Sequence, residues 1–296
     1  MMDEDGQLSE FARQLLLRHH RVAGGGYTLR NIPMPAAPGV TGSSWPTQAG
    51  GSYSSGTTEI TGKTITSPII VSSTAVVTIT DCKFALTDGS TFVLLYQTGG
   101  TVNVSNCYFD GSTFDGSQDF WGILQIGGTL SCISNEFYAC ANGGRLENGT
   151  WQYNYHHSPA LAVGAHSDGL EVYNQTGSIN IDHNVFDVRD SVGQTSCVNI
   201  VPYGTYTVNG PVVNYNSFVG GSYPLYVGAQ GTATVDNVHV TNNQWISEWN
   251  GDAGSYSGGP YTYGGIYGSV GYDGVTNAKI VEWSGNTLDG SPLSLP

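Results

Sequence analysis

An internal repeat constrains the fold of this chain more than any other feature. In a short pattern that begins at Val77–Phe84, apolar and polar residues alternate, and an Asn or Cys stands two positions before a large apolar residue. Alternation is typical of a strand with one buried face, and a recurring unit is typical of stacked repeats. The pattern returns at Val102–Phe109, Leu130–Phe137, Ile179–Phe186, Val212–Phe218 and Val238–Trp245, weakly at Ile280–Leu288, and as a shorter copy at Trp151–Tyr155.

A second strand-like segment lies between successive copies. These segments are Phe92–Tyr96, Gly122–Ile126, Gly169–Tyr173, Cys197–Val201 and Pro224–Gly228. A unit of this size cannot bury its own apolar face, so the copies must stack on one another. The sequence therefore predicts an all-β, single-stranded right-handed parallel β-helix with one coil per roughly 25 to 32 residues. An antiparallel β-sandwich, the alternative, would not produce an in-register repeat.

Stacking makes specific predictions about the interior. The turn asparagines should form a ladder of side-chain amides, and the Phe and Trp residues should form an aromatic stack that includes Trp245. Cys82 and Cys107 hold the Asn position in the first two copies, which predicts packed thiols one rung apart. The five cysteines are an odd number, which favours free thiols.

The chain divides into two parts. Residues 1–55 hold an amphipathic helical pattern at 7–21, with Leu8, Phe11 and Leu15 on one face, followed by a linker rich in Pro, Gly and Ser. Residues 56–296 form the β-helix domain. The helix could cap the first coil, or it could attach the protein to a partner or to copies of itself.

The charge of the chain excludes several functions. The net charge is −14, without the clustered Lys and Arg that a nucleic-acid surface needs. No run of 18 apolar residues occurs, and Asp3 to Asp5 stand where a signal peptide would carry positive charge. We therefore expect no nucleic-acid partner, no membrane insertion and no conventional secretion signal.

Ionisable residues concentrate between positions 156 and 190. His166 and Asp168 project to the same side of an extended segment, and Glu171 shares its within-strand position with Leu124, Asn199 and Tyr226, which predicts an outward ridge. Two carboxylates on such a ridge could flank a glycosidic bond. The candidate catalytic residues are His166, Asp168, Glu171 and Arg145. Asp182 and His183 fit ordinary turn residues, and Asp187, Arg189 and Asp190 fit a solvated loop.

Aromatic and amide side chains supply candidate glycan contacts. Trp121, Trp151, Asn199 and Tyr226 are the candidates, on the expectation that the rings are exposed. The histidines have no recognisable metal-ligand spacing, so we expect neither a metal site nor a cofactor, and calcium on surface carboxylates stays open.

The coils that end in Asn-x-Phe, at Asn135–Phe137, Asn184–Phe186 and Asn216–Phe218, resemble the right-handed parallel β-helix superfamily that includes pectate lyases and phage tailspikes. The resemblance covers about residues 56 to 290, and His166–Glu171 is similar to a His-x-Asp-Gly-x-Gln/Glu signature at strand entrances in such proteins. The family's lyases use a Lys or Arg base, for which the central coils offer only Arg145 and Arg189. Classical pectin chemistry is therefore not expected.

Among these proteins, the chain is most similar to a bacteriophage tailspike or minor tail protein. That resemblance implies a structural and receptor-binding virion component, made in the host cytoplasm, whose β-helix is commonly a homotrimer that contacts bacterial surface glycan. The N-terminal segment would attach it to other tail proteins. One alternative is a polysaccharide lyase or glycoside hydrolase that uses the candidate catalytic residues. Another is an architectural solenoid without a ligand.

Overall fold

The structure is a computed structural model that describes residues 45–87, 92–114, 120–159, 167–188, 194–246, 255–256, 259–260 and 267–296. The predicted helix at 7–21 lies outside the described residues, as do His166, Arg189 and Asp190.

Almost all regular structure in the described residues is β, in three long sheets that we number I to III. The strands of sheet I are Gly51–Tyr53, Ile69–Val71, Val93–Gln97, Trp121–Gln125, Asn142–Arg145, Ser167–Val172, Gln194–Ile200, Leu225–Gly228 and Val270–Asp273. The strands of sheet II are Thr57–Thr61, Val76–Thr80, Thr101–Ser105, Thr129–Ile133, Gly149–Gln152, Ile179–Asp182, Val212–Asn214, Val238–Thr241 and Ile280–Ser284. The strands of sheet III are Thr47–Gln48, Thr64–Ile65, Lys83–Ala85, Tyr108–Asp110, Glu136–Tyr138, Tyr155–His157, Val185–Asp187, Ser217–Val219, Gln244–Ile246, Thr287–Leu288 and Ser291–Pro292.

The chain visits sheets I, II and III in turn, and strands of successive coils pair in parallel. The last strand of sheet III, Ser291–Pro292, instead pairs antiparallel with Thr287–Leu288. This is the strand order of a parallel β-solenoid, which confirms the predicted fold class and is incompatible with an antiparallel sandwich. The right-handed path stays a prediction. Smaller pairs join Tyr203–Gly204 to Gln230–Gly231, Thr207–Asn209 to Thr234–Asp236, and Ser255–Tyr256 to Gly259–Pro260, and a short 3-10 helix covers Asn277–Lys279.

Each complete coil contributes one strand to each of the three sheets, where the sequence pattern predicted two strands per coil. The pattern read the strand, the turn and the large apolar residue as one unit. In the structure a sharp turn separates the sheet II strand from a short sheet III strand that carries the large residue. The turn residue has a left-handed backbone, as at Asp81 (φ 52°), Asn106 (φ 52°) and Ser134 (φ 57°). Residues of this type tolerate that conformation, so the turn recurs from coil to coil.

A ladder of buried asparagine side chains follows this turn, as predicted. The Asn154 backbone N–H donates to Asn184 Oδ1 at 2.9 Å, and Asn184 Nδ2 donates to Asn216 Oδ1 at 2.9 Å. Successive steps span 28, 19, 30, 32, 27 and 43 residues, a wider range than predicted. Insertions therefore leave the register unchanged. The asparagines of the ladder are Asn135, Asn154, Asn184, Asn216, Asn243 and Asn286.

The predicted aromatic stack fills the interior beside sheet III. The ring centroids of Phe84 and Phe109 lie 4.4 Å apart, and those of Phe109 and Phe137 lie 4.6 Å apart. Phe218 meets Trp245 edge to face, and Trp245 is fully buried, as expected. The cysteines are free and buried, and Cys82 and Cys107 occupy adjacent coils. Burial raises the pKa of the Cys107 thiol well above its usual value.

The described solenoid begins before residue 55, where the sequence pattern placed the boundary between the linker and the β-helix. The strand Thr47–Gln48 already pairs with Thr64–Ile65, so residues assigned to the linker belong to the first coil. At the other end, Leu293 and Leu295 pack against the core, and Trp283 Nε1 donates to the Leu293 carbonyl at 2.7 Å. Among the described residues, no helix has the length and apolar character needed to cross a bilayer.

Candidate functional site

The predicted ridge runs along the outer face of sheet I. Leu124 pairs with Arg145, Arg145 with Glu171, Glu171 with Asn199, and Asn199 with Tyr226, so these residues occupy equivalent positions in five consecutive coils. The shared within-strand position of Glu171, Asn199 and Tyr226 is thereby confirmed. We call this row, Leu124 to Tyr226, the ridge.

Asp168 lies in the neighbouring column of the same face and is 1% exposed. Its carboxylate accepts hydrogen bonds from Ser196 Oγ at 2.5 Å and from Asn199 Nδ2 at 3.0 Å. Its backbone N–H donates to Asn142 Oδ1 at 3.0 Å. A buried carboxylate needs such donors to offset lost hydration. Asp168 is therefore held in one orientation by side chains from the coils on both sides.

Arg145 is the cation of this face. Its Nη2 lies 3.1 Å from Glu171 Oε2. The guanidinium carbon lies 5.0 Å from the ring centroid of Trp121 and 4.3 Å from that of Tyr173. Cation–π contacts of this kind contribute about 0.5–2 kcal/mol each, and more when water is excluded. The two rings and the carboxylate together fix the guanidinium.

Glu147 is a site residue that the sequence pattern did not single out. It is 5% exposed, and burial raises the pKa of its carboxyl group to about 7, opposed by the charge of Arg145 and a hydrogen bond with Asn174. A carboxyl group with a pKa near neutrality can both donate and accept a proton under physiological conditions. Burial depends on contacts between coils, so no local sequence signal marks Glu147.

Tyr173 also responds to the environment of this face. Burial raises the pKa of its phenol, the nearby charge of Glu171 acts in the same direction, and Arg145 acts against them. The hydroxyl therefore stays protonated and can donate a hydrogen bond.

The structure brings together five of the predicted site residues on sheet I. Asp168, Glu171, Arg145, Trp121 and Asn199 are linked by the contacts above, and Tyr226 continues the ridge by one coil. The Tyr226 ring lies 5.6 Å from that of Tyr223 and covers Gly271, where an added Cβ would lie 2.4 Å from the ring. His166 lies outside the described residues.

The expectation that Trp121 and Trp151 are exposed rings is wrong, since Trp121 is 9% exposed. Trp151 is fully buried, and its ring stacks on Phe137 with centroids 4.9 Å apart. It pairs with Cys132 on sheet II, whose side chain also faces the core. Aligning the short copy Trp151–Tyr155 with Leu130–Phe137 would have placed Trp151 inside. It has no access to a ligand.

The remaining predicted ionisable residues lie away from this face. His156 is a core residue in register with Phe137 and Phe186, and His157 Nε2 lies 3.0 Å from Glu136 Oε1 on sheet III. His183 is a turn residue, as predicted, with φ 55° and with Nδ1 2.8 Å from Asp182 Oδ2. Asp187, predicted in a solvated loop, is instead buried at the end of a sheet III strand. Within the described ranges, no three His, Cys, Asp or Glu side chains are placed to hold a metal ion.

Comparison of the chain with protein-family models, with curated proteins and with solved structures finds no match. The geometry of sheet I is therefore the basis for the function proposed below.

Proposed function

We propose that this chain is a phage tail component whose solenoid binds a host surface polysaccharide through the outer face of sheet I. The ridge carries this proposal. Its five rungs repeat at the strand spacing of about 4.8 Å, so they extend for about 19 Å along the solenoid axis. A row of side chains at regular spacing suits a polymer that itself repeats, because Asn199 and Tyr226 in successive coils can contact successive parts of the ligand.

The chemistry of the face supports a sugar ligand. Asn199 supplies the amide N–H that is not bound to Asp168, Tyr226 supplies a partly exposed phenol ring next to it, and Tyr173 adds a hydroxyl donor. Sugar hydroxyls pair with amide and phenol groups, and the apolar faces of sugars pack on aromatic rings. Asp168, Arg145 and Glu171 hold these groups in place through the contacts described above.

The virion assignment rests on the resemblance of the Asn-x-Phe coils to the parallel β-helix superfamily that includes phage tailspikes. On this proposal the chain belongs to that right-handed superfamily, is made in the host cytoplasm, and forms a homotrimer in the virion. Its N-terminal segment attaches to other tail proteins.

The test combines mass and binding. Light scattering of the full chain should give three times the chain mass, and affinity electrophoresis against bacterial surface polysaccharides should show retardation by at least one. Tyr226→Ala and Asn199→Ala should each weaken binding by tenfold or more. Tyr215→Ala is the matched control, since Tyr215 is 46% exposed at the turn between sheets II and III. Equal loss of binding in the control, or no binding by the wild type, would contradict the proposal.

A second candidate is an enzyme that cleaves the polysaccharide. The near-neutral pKa of Glu147, which lies between sheets I and II two residues after Arg145, favours it, because glycosidases pair a protonated carboxyl group with an ionised one. A hydrolase would release new reducing ends from the polysaccharide. A lyase would release new reducing ends together with an unsaturated sugar product. Glu147→Gln and Asp168→Asn should each abolish it, while Glu282→Gln, an exposed carboxylate on sheet II, should leave it unchanged. Intact polysaccharide after prolonged incubation would exclude this candidate.

A further inference from the structure

We infer that the polysaccharide bound on sheet I is uncharged. The inference rests on the proposed function, because it concerns the ligand of the same face. It follows from how the charged side chains of the described residues are already paired.

The cations of the described residues are not available to an acidic sugar on sheet I. Arg145 is paired with Glu171 and held between two rings. Lys83 pairs with Asp110 at 3.0 Å, Lys279 pairs with Asp236, and Lys63 lies in the turn between sheets II and III. With a net charge of −14, the chain also repels polyanions at long range. The binding of uronate, sialate or phosphate groups to this face would therefore be electrostatically unfavourable.

The carboxylates in the described strands of sheet I also have partners, and the partly exposed Asp273 accepts a hydrogen bond from Gln230 Nε2 at 2.5 Å. Glu171 is neutralised by Arg145, and Asp168 accepts hydrogen bonds from Ser196 and Asn199. An amino sugar would have to displace these partners to reach a negative charge. The Oδ1 of Asn199 is buried, and one N–H of its amide is bound to Asp168. The groups that remain for a ligand are the second amide N–H of Asn199, the hydroxyl of Tyr173, and the ring and hydroxyl of Tyr226. These groups suit uncharged sugar hydroxyls and apolar sugar faces.

The decisive experiment uses the full chain and a set of bacterial surface polysaccharides whose repeat units are uncharged, acidic or rich in free amines. We expect binding only to uncharged polymers, with less than a twofold change in affinity when ionic strength rises from about 0.05 M to about 0.5 M. Binding of an acidic or an amine-rich polymer would overturn the inference while leaving glycan binding in place. Binding of none would overturn the proposed function and the inference with it.

A matched pair of variants tests the physical cause. Glu171→Gln removes the partner of Arg145 and should give new, salt-sensitive binding of acidic polymers, at least fivefold above the wild type. Glu282→Gln changes the net charge by the same amount on sheet II and should give no such gain. An equal gain in both variants would assign the effect to overall charge and overturn the inference. Circular dichroism shows whether Glu171→Gln is folded. If it is not, the salt dependence of wild-type binding decides whether the bound polysaccharide is uncharged.

Discussion

At the scale of single residues, His156 departs most clearly from its surroundings. It stands at the position held by Phe137 in the coil before and by Phe186 in the coil after. Its Nε2 lies 3.0 Å from the Cys140 carbonyl, so Nε2–H donates, whereas Nδ1 has no hydrogen-bond partner among the described residues. Burial lowers the pKa of this imidazole to about 4. The core therefore holds an imidazole that resists protonation.

Replacing His156 with Phe should remove a pH dependence of stability. The folded-state pKa of about 4 lies below the ordinary value of 6.5, so the unfolded chain takes up the proton first as the pH falls. Wild-type stability should therefore fall between pH 6.5 and 4, by up to about 3 kcal/mol from this residue. Urea denaturation across that range should give a shallower pH slope for His156→Phe. His239→Phe, at a partly exposed site, serves as the control, and an unchanged slope in His156→Phe would refute the assignment.

Glu147 should give the stability of the chain the opposite pH dependence. Its folded-state pKa of about 7 lies above the ordinary value of 4.5, so the folded chain keeps the proton longer, and stability falls as the pH rises through that window. Glu147→Gln removes this loss and should be more stable than the wild type above pH 7, on the order of 1–2 kcal/mol. Thermal unfolding at pH 5 and pH 8 measures it. Glu59→Gln, exposed on sheet II, should show no such difference.

At the scale of elements, the recurring turn between sheets II and III organises the solenoid. The sequence pattern predicted its asparagines correctly, because nearly every ladder residue stands two positions before a large apolar residue; Asn154, which precedes His156, is the exception. It did not predict the third strand, since a bend caused by one left-handed residue is not visible in an alternation of apolar and polar residues.

The left-handed turn position is occupied by Tyr153, His183 and Tyr215 in three successive coils, where Asn or Gly would be expected. Their rings stack at 4.9 and 4.8 Å, and this contact offsets some of the backbone strain.

Asn184→Ala tests how much one rung of the ladder contributes. Asn184 accepts from the backbone and side chain of Asn154, and it donates to Asn216 Oδ1 and to the Trp151 carbonyl at 2.7 Å. Truncation leaves the buried Asn154 N–H without an acceptor and removes one hydrogen bond each from Asn154 Nδ2, Asn216 Oδ1 and the Trp151 carbonyl. This should lower the free energy of unfolding by about 2–4 kcal/mol. Asn180→Ala, on the outer face of sheet II, should cost less than about 0.5 kcal/mol. Similar losses in both variants, measured by denaturant titration, would argue against the ladder as a source of stability.

At the scale of the whole molecule, the repeat made the coil order, the ladder, the stack and the ridge predictable. The contacts and burial of the side chains on and beside the ridge were less predictable. The placement of Arg145 between Trp121 and Tyr173 and the burial of Glu147 both depend on which coils lie next to one another. Pairing across coils is a long-range property, which the alternation within one strand does not encode. The same applies to Trp151. Its side chain faces the core because Trp151 is in register with Cys132 of the preceding coil, and the short copy of the repeat alone does not show this.

The ends of a solenoid are exposed strand edges that can recruit other chains, so the last coil needs cover. Leu293 and Leu295 pack on the core there, and the terminal Pro296 carbonyl accepts hydrogen bonds from Tyr272 and Asn277. Deleting residues 293–296 should therefore expose apolar surface and the edge of Ile280–Ser284 together. We expect lower thermal stability and a scattering mass that rises with protein concentration. Val281→Lys, which adds charge at an exposed position on that edge strand, should suppress the association without restoring stability. A truncated chain whose mass does not change with concentration would show that the edge is protected by other means.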